Sequence, residues 1–379
     1  MKQLVFVTFL LFVAGLAHAE PTSSLAPAAP NLAAKGYILQ DFHSGHVLAE
    51  KNADARLEPA SLTKLMTAYA VFRDVRIGKL RLDDNVRISR KAWRTPGSRM
   101  FVLVDTDVTV EELLKGMIIQ SGNDASVALA EHIAGSEETF ALIMNELARK
   151  LGMHGTHFAN ATGLPHPEHY STARDLAVLA HALIREFPEY YRWYSEKSYT
   201  YNNIQQYNRN RLLWSDDSVD GVKTGHTDSA GYCLVSSAQR ADMRLLAVVM
   251  GTNSEEARAQ ESLKLLNYGF RFFETRLLYR AAEPLKTMHV WKGDTNALPL
   301  GVADELYVTL PRGHYDKLKA SLTVERVIQA PARKGQRFGT LNLQMGETTI
   351  AERPLVALQE VSEGNLWRKM VDGLMLMFE

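Results

Sequence analysis

Residues 36–50 read GYILQDFHSGHVLAE, with apolar and polar positions alternating on either side of Ser44-Gly45. A two-residue period on both flanks of a turn is the pattern of a hairpin with one buried face. From Ser61 the period changes. Apolar residues recur at spacings of three and four over 61–73, 110–117, 125–134, 136–151 and 172–185, which predicts helices. Strand patterns return after Gly221, with 231–238 and 243–250 joined by the polar segment 239–242, and a last helix is expected over 255–273. Strands at both ends with helices between them imply one sheet assembled from both ends of the domain, with helices packed on it.

Beyond Thr275 short alternating runs replace helices: 288–291, 306–310, 320–327, 338–345 and 354–358. Turn signals such as Lys292-Gly293-Asp294, Pro311-Arg312-Gly313 and Met345-Gly346-Glu347 separate them, which predicts a small β-rich domain over 280–362 after a larger first domain over 33–279. In the last segment, 363–379, Leu366, Trp367, Met370, Val371, Leu374, Met377 and Phe378 recur at helical spacing, with Arg368, Lys369 and Asp372 opposite. This is an amphipathic helix, too short and too charged to cross a bilayer, and lying in a membrane interface is weighed against docking on its own protein or on a second copy. At the other end, Lys2, an apolar run from Leu4 to Leu16 and Ala17-His18-Ala19 form a signal peptide over 1–19, followed by a Pro-, Ala- and Ser-rich leader over 20–32. An extracytoplasmic compartment follows from that signal.

The 379 residues carry 43 Lys+Arg against 43 Asp+Glu, are 46% hydrophobic, and include one cysteine, Cys233. An apolar fraction of that size supports one large core plus a smaller one and excludes disorder. Balanced charge without a basic stripe gives no reason to bind nucleic acid. A lone cysteine excludes an internal disulfide, a CxxC redox pair and a thiolate zinc site.

Three short motifs occur in order. Ser61-Leu62-Thr63-Lys64 opens a helical pattern, and residues three apart share a helix face, so the Lys64 amine reaches the Ser61 hydroxyl. A serine needs a base to take its proton, and a lysine serves only when burial or a neighbouring cation pulls its pKa down. Ser121-Gly122-Asn123 lies between two helical segments, where Ser121 can relay a proton and the Asn123 amide can bond a substrate carbonyl. Lys223-Thr224-Gly225, followed by His226, begins the return strands; Gly225 admits a substrate backbone to an edge strand, and Lys223 and Thr224 offer charge and a hydroxyl to a carboxylate. Each motif alone has a plainer reading as a cap or a turn. Their joint order in a secreted chain is the informative feature.

The extended segments Pro59-Ala60-Ser61-Leu62-Thr63-Lys64-Leu65-Met66-Thr67 and Asp220-Gly221-Val222-Lys223-Thr224-Gly225-His226-Thr227 resemble the signatures of the low-molecular-mass penicillin-binding proteins, the serine D-alanyl-D-alanine carboxypeptidases of the penicillin-binding protein 5 and 6 group. The resemblance implies a catalytic domain of the penicillin-recognising serine transferase or β-lactamase-like fold (α+β/α/β), a small all-β domain and a C-terminal amphipathic anchor. It implies Ser61 as the acylated nucleophile, Lys64 as its base, Ser121 as relay and Asn123 as substrate ligand. Lys223 and Thr224, helped by Arg258, would hold the terminal D-Ala carboxylate, Gly225 would admit the substrate backbone, and the backbone N–H groups of Ser61 and His226 would form the oxyanion hole. The implied partners are peptidoglycan stem peptides, β-lactams as covalent inhibitors and, through the terminal helix, the periplasmic face of the inner membrane. No cofactor or metal is implied.

Other readings of the same residues compete. A β-lactamase of class A needs a glutamate-bearing loop, and 158–170 offers only Glu168. A D,D-endopeptidase shares the motifs, and a catalytically weak wall-binding or shape factor would keep the fold. His154, His157, His166 and His169 form two HxxH pairs without a matching carboxylate pattern, which reads as ordinary histidines rather than a metal site. Met117, Met144 and Met153 read as core, and Trp193 with Tyr190, Tyr191 and Tyr194 as an aromatic face on a core rather than a sugar or peptide groove.

Overall fold

The computed structural model describes residues 26–377. The expected signal peptide, the first part of the leader and the last two residues lie outside that range.

The catalytic domain is built on five antiparallel strands in the order Val47–Lys51, Gly36–Asp41, Met243–Thr252, Gly231–Arg240, Val219–Thr227. The N-terminal hairpin therefore pairs with the last strand of the domain, Ile38 facing Val248 in register. Period-two alternation sorts these strands between two cores. Ile38, Val235, Leu246 and Val248 pack into the large core under helices Lys64–Arg76, Val110–Ile119, Asn123–Ala134, Glu137–Leu151 and Ala173–Glu186. Their neighbours Leu39, Leu234, Leu245 and Ala247 point the other way, onto helix Glu255–Phe272 with Leu265, Leu266 and Phe270.

The helix starts follow from side-chain capping. Ser136, Thr172 and Ser254 each accept from a backbone N–H of the first turn, and Thr109 with Glu112 forms a reciprocal capping box. The expected helix at 61–73 divides into a 3-10 turn, Ala60–Thr63, and the α-helix from Lys64. Met117, Met144, Met153 and Trp193 are buried in the large core, and Tyr190 stacks on Phe72 at 4.8 Å, so the aromatic segment packs inward rather than lining a groove. Two short antiparallel pairs, Asn85–Arg87 with Asp107–Thr109 and the hairpin Ser198–Tyr201 with Ile204–Tyr207, have no counterpart in the sequence reading.

The second domain is all β: a six-stranded sheet beside the pair Phe273–Tyr279 and Leu306–Pro311. Its strand pairing begins at Phe273 rather than at the composition change near 280, because helix Glu255–Phe272 passes straight into the first strand without a linker. Strand Ala297–Gly301 carries Pro299, which hides it from a propensity reading. The terminal helix runs Leu366–Met375. Its polar side docks on the β domain, Arg368 donating to Asn296 Oδ1 at 2.7 Å and Asp372 accepting from Lys292 N at 2.5 Å. Leu366, Trp367, Met370, Leu374, Met375 and Met377 are left exposed.

Asp41 ties the two domains at the first hairpin. Oδ1 accepts from Ser44 N at 2.7 Å and Ser44 Oγ at 2.8 Å, and Oδ2 accepts from Thr275 Oγ1 at 2.7 Å, while Ser44 Oγ meets Thr309 Oγ1 at 2.6 Å. The carboxylate is fully buried. Asp41→Ala strands these donors and should cost about 2–4 kcal/mol. Urea denaturation followed by circular dichroism checks this; a loss below about 0.5 kcal/mol refutes the linkage.

Candidate active site

Ser61 sits on the 3-10 turn, preceded by Ala60 at φ +46°. A residue with a Cβ in this left-handed region costs on the order of 1 kcal/mol, which the surrounding packing sustains. Lys64 Nζ donates to Ser61 Oγ at 2.9 Å and to Thr162 O at 2.6 Å. Lys64 is only 1% exposed. Burial and then the Arg209 guanidinium pull its ammonium down to about 7, against Asp124 and Glu137, which favour the charged form. A substantial neutral fraction at neutral pH can accept the Ser61 proton across the same 2.9 Å contact.

The loop that supplies the Thr162 carbonyl lies directly on the nucleophile turn. Gly163 has φ +84°, and a Cβ there would stand 1.8 Å from Ala60 O. Asn160 Oδ1 closes the loop by accepting from Thr162 N at 3.1 Å and Gly163 N at 2.7 Å.

Ser121 also has a left-handed backbone, φ +67°. Its Oγ accepts from Lys223 Nζ at 3.0 Å, and the same amine donates to Thr224 O at 3.1 Å. Lys223 is buried; burial first, then Lys64, Arg209 and Arg258, hold its pKa well below the usual lysine range. The bond from Ser121 thus runs to Lys223, and no bond between Lys64 and Ser121 is formed among the described residues.

These groups meet at a cavity of about 450 Å³ lined by Ser61, Ser121, Asn123, Thr224, Gly225, His226 and Arg258, together with Arg209, Tyr232 and Glu255. Lys64 and Lys223 stand one layer behind, acting on the cavity through the two serines. Strand Val219–Thr227 is an edge strand of the sheet. Gly225 lines the cavity, and a Cβ there would also meet Pro59 O at 2.9 Å and Leu62 Cγ at 3.2 Å, so glycine lets the strand lie flush on the Ser61 turn. Asn123 Nδ2 donates to Pro96 O at 2.6 Å, and its Oδ1 has no partner among the described residues. That oxygen is buried, while the amide nitrogen keeps a second hydrogen with which it can donate to a carbonyl, as the motif suggests. The His226 ring stacks on Tyr232 at 3.9 Å.

All the residues singled out in the sequence are brought together. Thr162, Arg209, Asp124 and Glu255 were not foreseen. Asp124 is buried and accepts from Met100 N and Phe101 N, both at 2.9 Å, anchoring the loop that carries Gly97 and Ser98 into the cavity wall. Its position directly after the Ser121-Gly122-Asn123 motif was the available signal. His169 lies behind the nucleophile turn, its Nε2 2.7 Å from Thr63 Oγ1, and burial lowers its pKa to about 4.

A family model described as D-alanyl-D-alanine carboxypeptidase (peptidase S11) matches residues 23–254, and one described as the penicillin-binding protein 5 C-terminal domain matches 273–363. The chain belongs to the D-alanyl-D-alanine carboxypeptidase family. It is 44% identical, over 100% of its own length and 96% of the relative's, to the D-alanyl-D-alanine carboxypeptidase DacA of Escherichia coli K12. Among solved structures it is similar to penicillin binding protein 5 from Haemophilus influenzae, with TM-score 0.85 and 41% identity over 89% of this chain and 100% of that one. Penicillin-Binding Protein D2 from Listeria monocytogenes in its ampicillin-bound form matches with TM-score 0.59 and 33% identity over 64% of this chain and 100% of that one. The fold and the family thus agree with the penicillin-recognising expectation.

A neutral Lys64 is the form that accepts a proton, and it predominates above its pKa. The second-order rate of Ser61 acylation should therefore rise about tenfold per pH unit below 7 and level off above it, with its midpoint near 7. Stopped-flow acylation between pH 5 and 9 measures this, and a rate that is flat across the range contradicts Lys64 as base.

Proposed function

We propose that the chain is a serine D-alanyl-D-alanine carboxypeptidase that removes the terminal D-Ala from peptidoglycan stem peptides through an acyl-enzyme on Ser61. The observation that carries this reading is the 2.9 Å contact between Ser61 Oγ and a buried Lys64 whose pKa is about 7. Ser61 Oγ attacks the carbonyl carbon between the two D-alanines as its proton moves to Lys64. The oxyanion forms against the backbone N–H groups of Ser61 and His226. The C–N bond then breaks, and the proton passes from Lys64 by way of Ser121 to the leaving amine. Lys223 supports that relay, because its N–H occupies a lone pair of Ser121 Oγ and leaves the Ser121 O–H free to donate. Water then attacks the ester, Lys64 takes its proton, and Ser61 recovers its hydrogen as the C–O bond breaks.

The substrate extends along the free edge of strand Val219–Thr227, with Asn123 at the cavity wall offering it a side-chain hydrogen bond. Thr224, at the cavity wall, and Arg258 take the terminal carboxylate, with Gly225 keeping the strand close and Lys223 adding its influence through Ser121. β-Lactams present an acyl carbonyl and a carboxylate in the same relation and esterify Ser61. Ser61→Ala should lose D-alanine release from a peptide ending in D-Ala-D-Ala by at least about 10³-fold and lose covalent penicillin labelling, with an unchanged circular dichroism spectrum. Retained labelling points to a different nucleophile.

Among the described residues no helix is long and apolar enough to cross a membrane. The exposed apolar face of helix Leu366–Met375 supports peripheral attachment of a periplasmic enzyme to the inner membrane, the polar side being held by the β domain. Removing 363–379 should shift the protein from vesicle-bound to free in cosedimentation with anionic liposomes, while D-alanine release is retained. Undiminished cosedimentation rules out the helix as anchor.

A further inference from the structure

The Arg258 guanidinium is held by unequal partners. Nη1 donates to Gly225 O and Nη2 to Arg209 O, both at 3.4 Å, whereas Nη2 donates to Glu255 Oε1 at 3.0 Å. Glu255 opens helix Glu255–Phe272 behind the Ser254 cap, and Arg258 follows three residues later on the same face. The other Glu255 oxygen accepts from Arg211 Nη2 at 3.0 Å, so one carboxylate spans an exposed arginine and a buried one. Glu255 is also the one acidic side chain among the described residues lining the cavity.

Around Arg258 the remaining charges are of its own sign. Arg209 disfavours the charged form of Arg258, and Arg258 in turn disfavours that of Lys223, while Glu255 opposes the effect at Arg258. Without Glu255 the guanidinium would keep two long carbonyl bonds and the face of the Tyr232 ring, 5.5 Å from Cζ to centroid, with no anion to offset the like charge of Arg209. A cation in that state turns away from its neighbours, and bonds of 3.4 Å do not hold it against them.

We infer that Glu255 is the positioning residue that keeps the Arg258 guanidinium in the cavity wall, and so sets how strongly the site prefers a peptide ending in a free carboxylate. This rests on the reading of Arg258 as a ligand of that carboxylate. The Arg211 bond fixes Glu255 from the far side, making the clamp a chain of three residues rather than a single pair.

The test uses the full chain and two peptides, one ending in D-Ala-D-Ala acid and the same sequence as its C-terminal amide. The ratio of their kcat/KM values is measured for the parent, Arg258→Ala, Glu255→Ala, Glu255→Gln and the double variant Glu255→Ala/Arg258→Ala. Glu255→Ala should lower the acid-over-amide ratio roughly tenfold, with the change in KM of the acid, and Glu255→Gln, which keeps an acceptor, should recover part of it. In the Arg258→Ala background the Glu255 substitution should change the ratio no further. A ratio that falls with Arg258→Ala and not with Glu255→Ala overturns the positioning role and leaves the Arg258 reading standing. No fall with Arg258→Ala overturns that reading itself. A rise with Glu255→Ala makes Glu255 a competitor of the substrate carboxylate, and an equal loss on both peptides makes its role general to the fold; either result overturns the inference.

Discussion

A lysine ammonium taken out of water is the constraint around which the catalytic domain is arranged. Lys64 has almost no exposed surface, and burial costs its charged form more than any neighbour returns. The protein answers with two oxygens, Ser61 Oγ and Thr162 O, and both depend on strained or constrained backbone: Ala60 at positive φ and Gly163 packed against its carbonyl. The strain and the base therefore belong to one construction. The turn and loop close over Lys64, and the burial they impose is what pulls its pKa down to about 7 beside a serine.

The second lysine repeats the arrangement from the sheet. Lys223 enters on the edge strand, which Gly225 allows to lie against the nucleophile turn, and it reaches the cavity through Ser121. Two serines thus face the cavity and two lysines sit behind them, where Lys64 adds to the burial that disfavours the charge of Lys223. A helix wall, a loop and an edge strand converge here, and the inter-residue distances are set by packing on two faces of one sheet.

The β domain has its own core and meets the catalytic domain through hydroxyl and carboxylate contacts at Asp41, Ser44, Thr275 and Thr309. Those bonds join the first hairpin of the chain to the first strand of the second domain. At the far end the terminal helix is held by its polar side, an orientation opposite to that of an ordinary amphipathic helix on a core.

The amino-acid sequence by itself determined the elements with strong periodicity and pointed to the residues that gather at the candidate site. The hairpin at 36–50, the long helices and the strands at 231–238 and 243–250 were legible because each buries one face and so repeats at its own period. Ser61, Lys64, Ser121, Asn123, Lys223 and Thr224 were legible because their chemistry is local to short motifs. The start of the β domain at Phe273, the strand through Pro299 and the two small strand pairs were not, since such short strands carry little pattern of their own and are decided by the partners they meet. Only the tertiary structure decided that Lys223 bonds Ser121, that Pro96 O holds the Asn123 amide, that Gly225 lies flush on the Ser61 turn, and that Thr162, Arg209 and Glu255 join the site. Each of these is a contact between segments tens to more than a hundred residues apart, and desolvation, which sets the lysine pKa, exists only once those segments have closed over it.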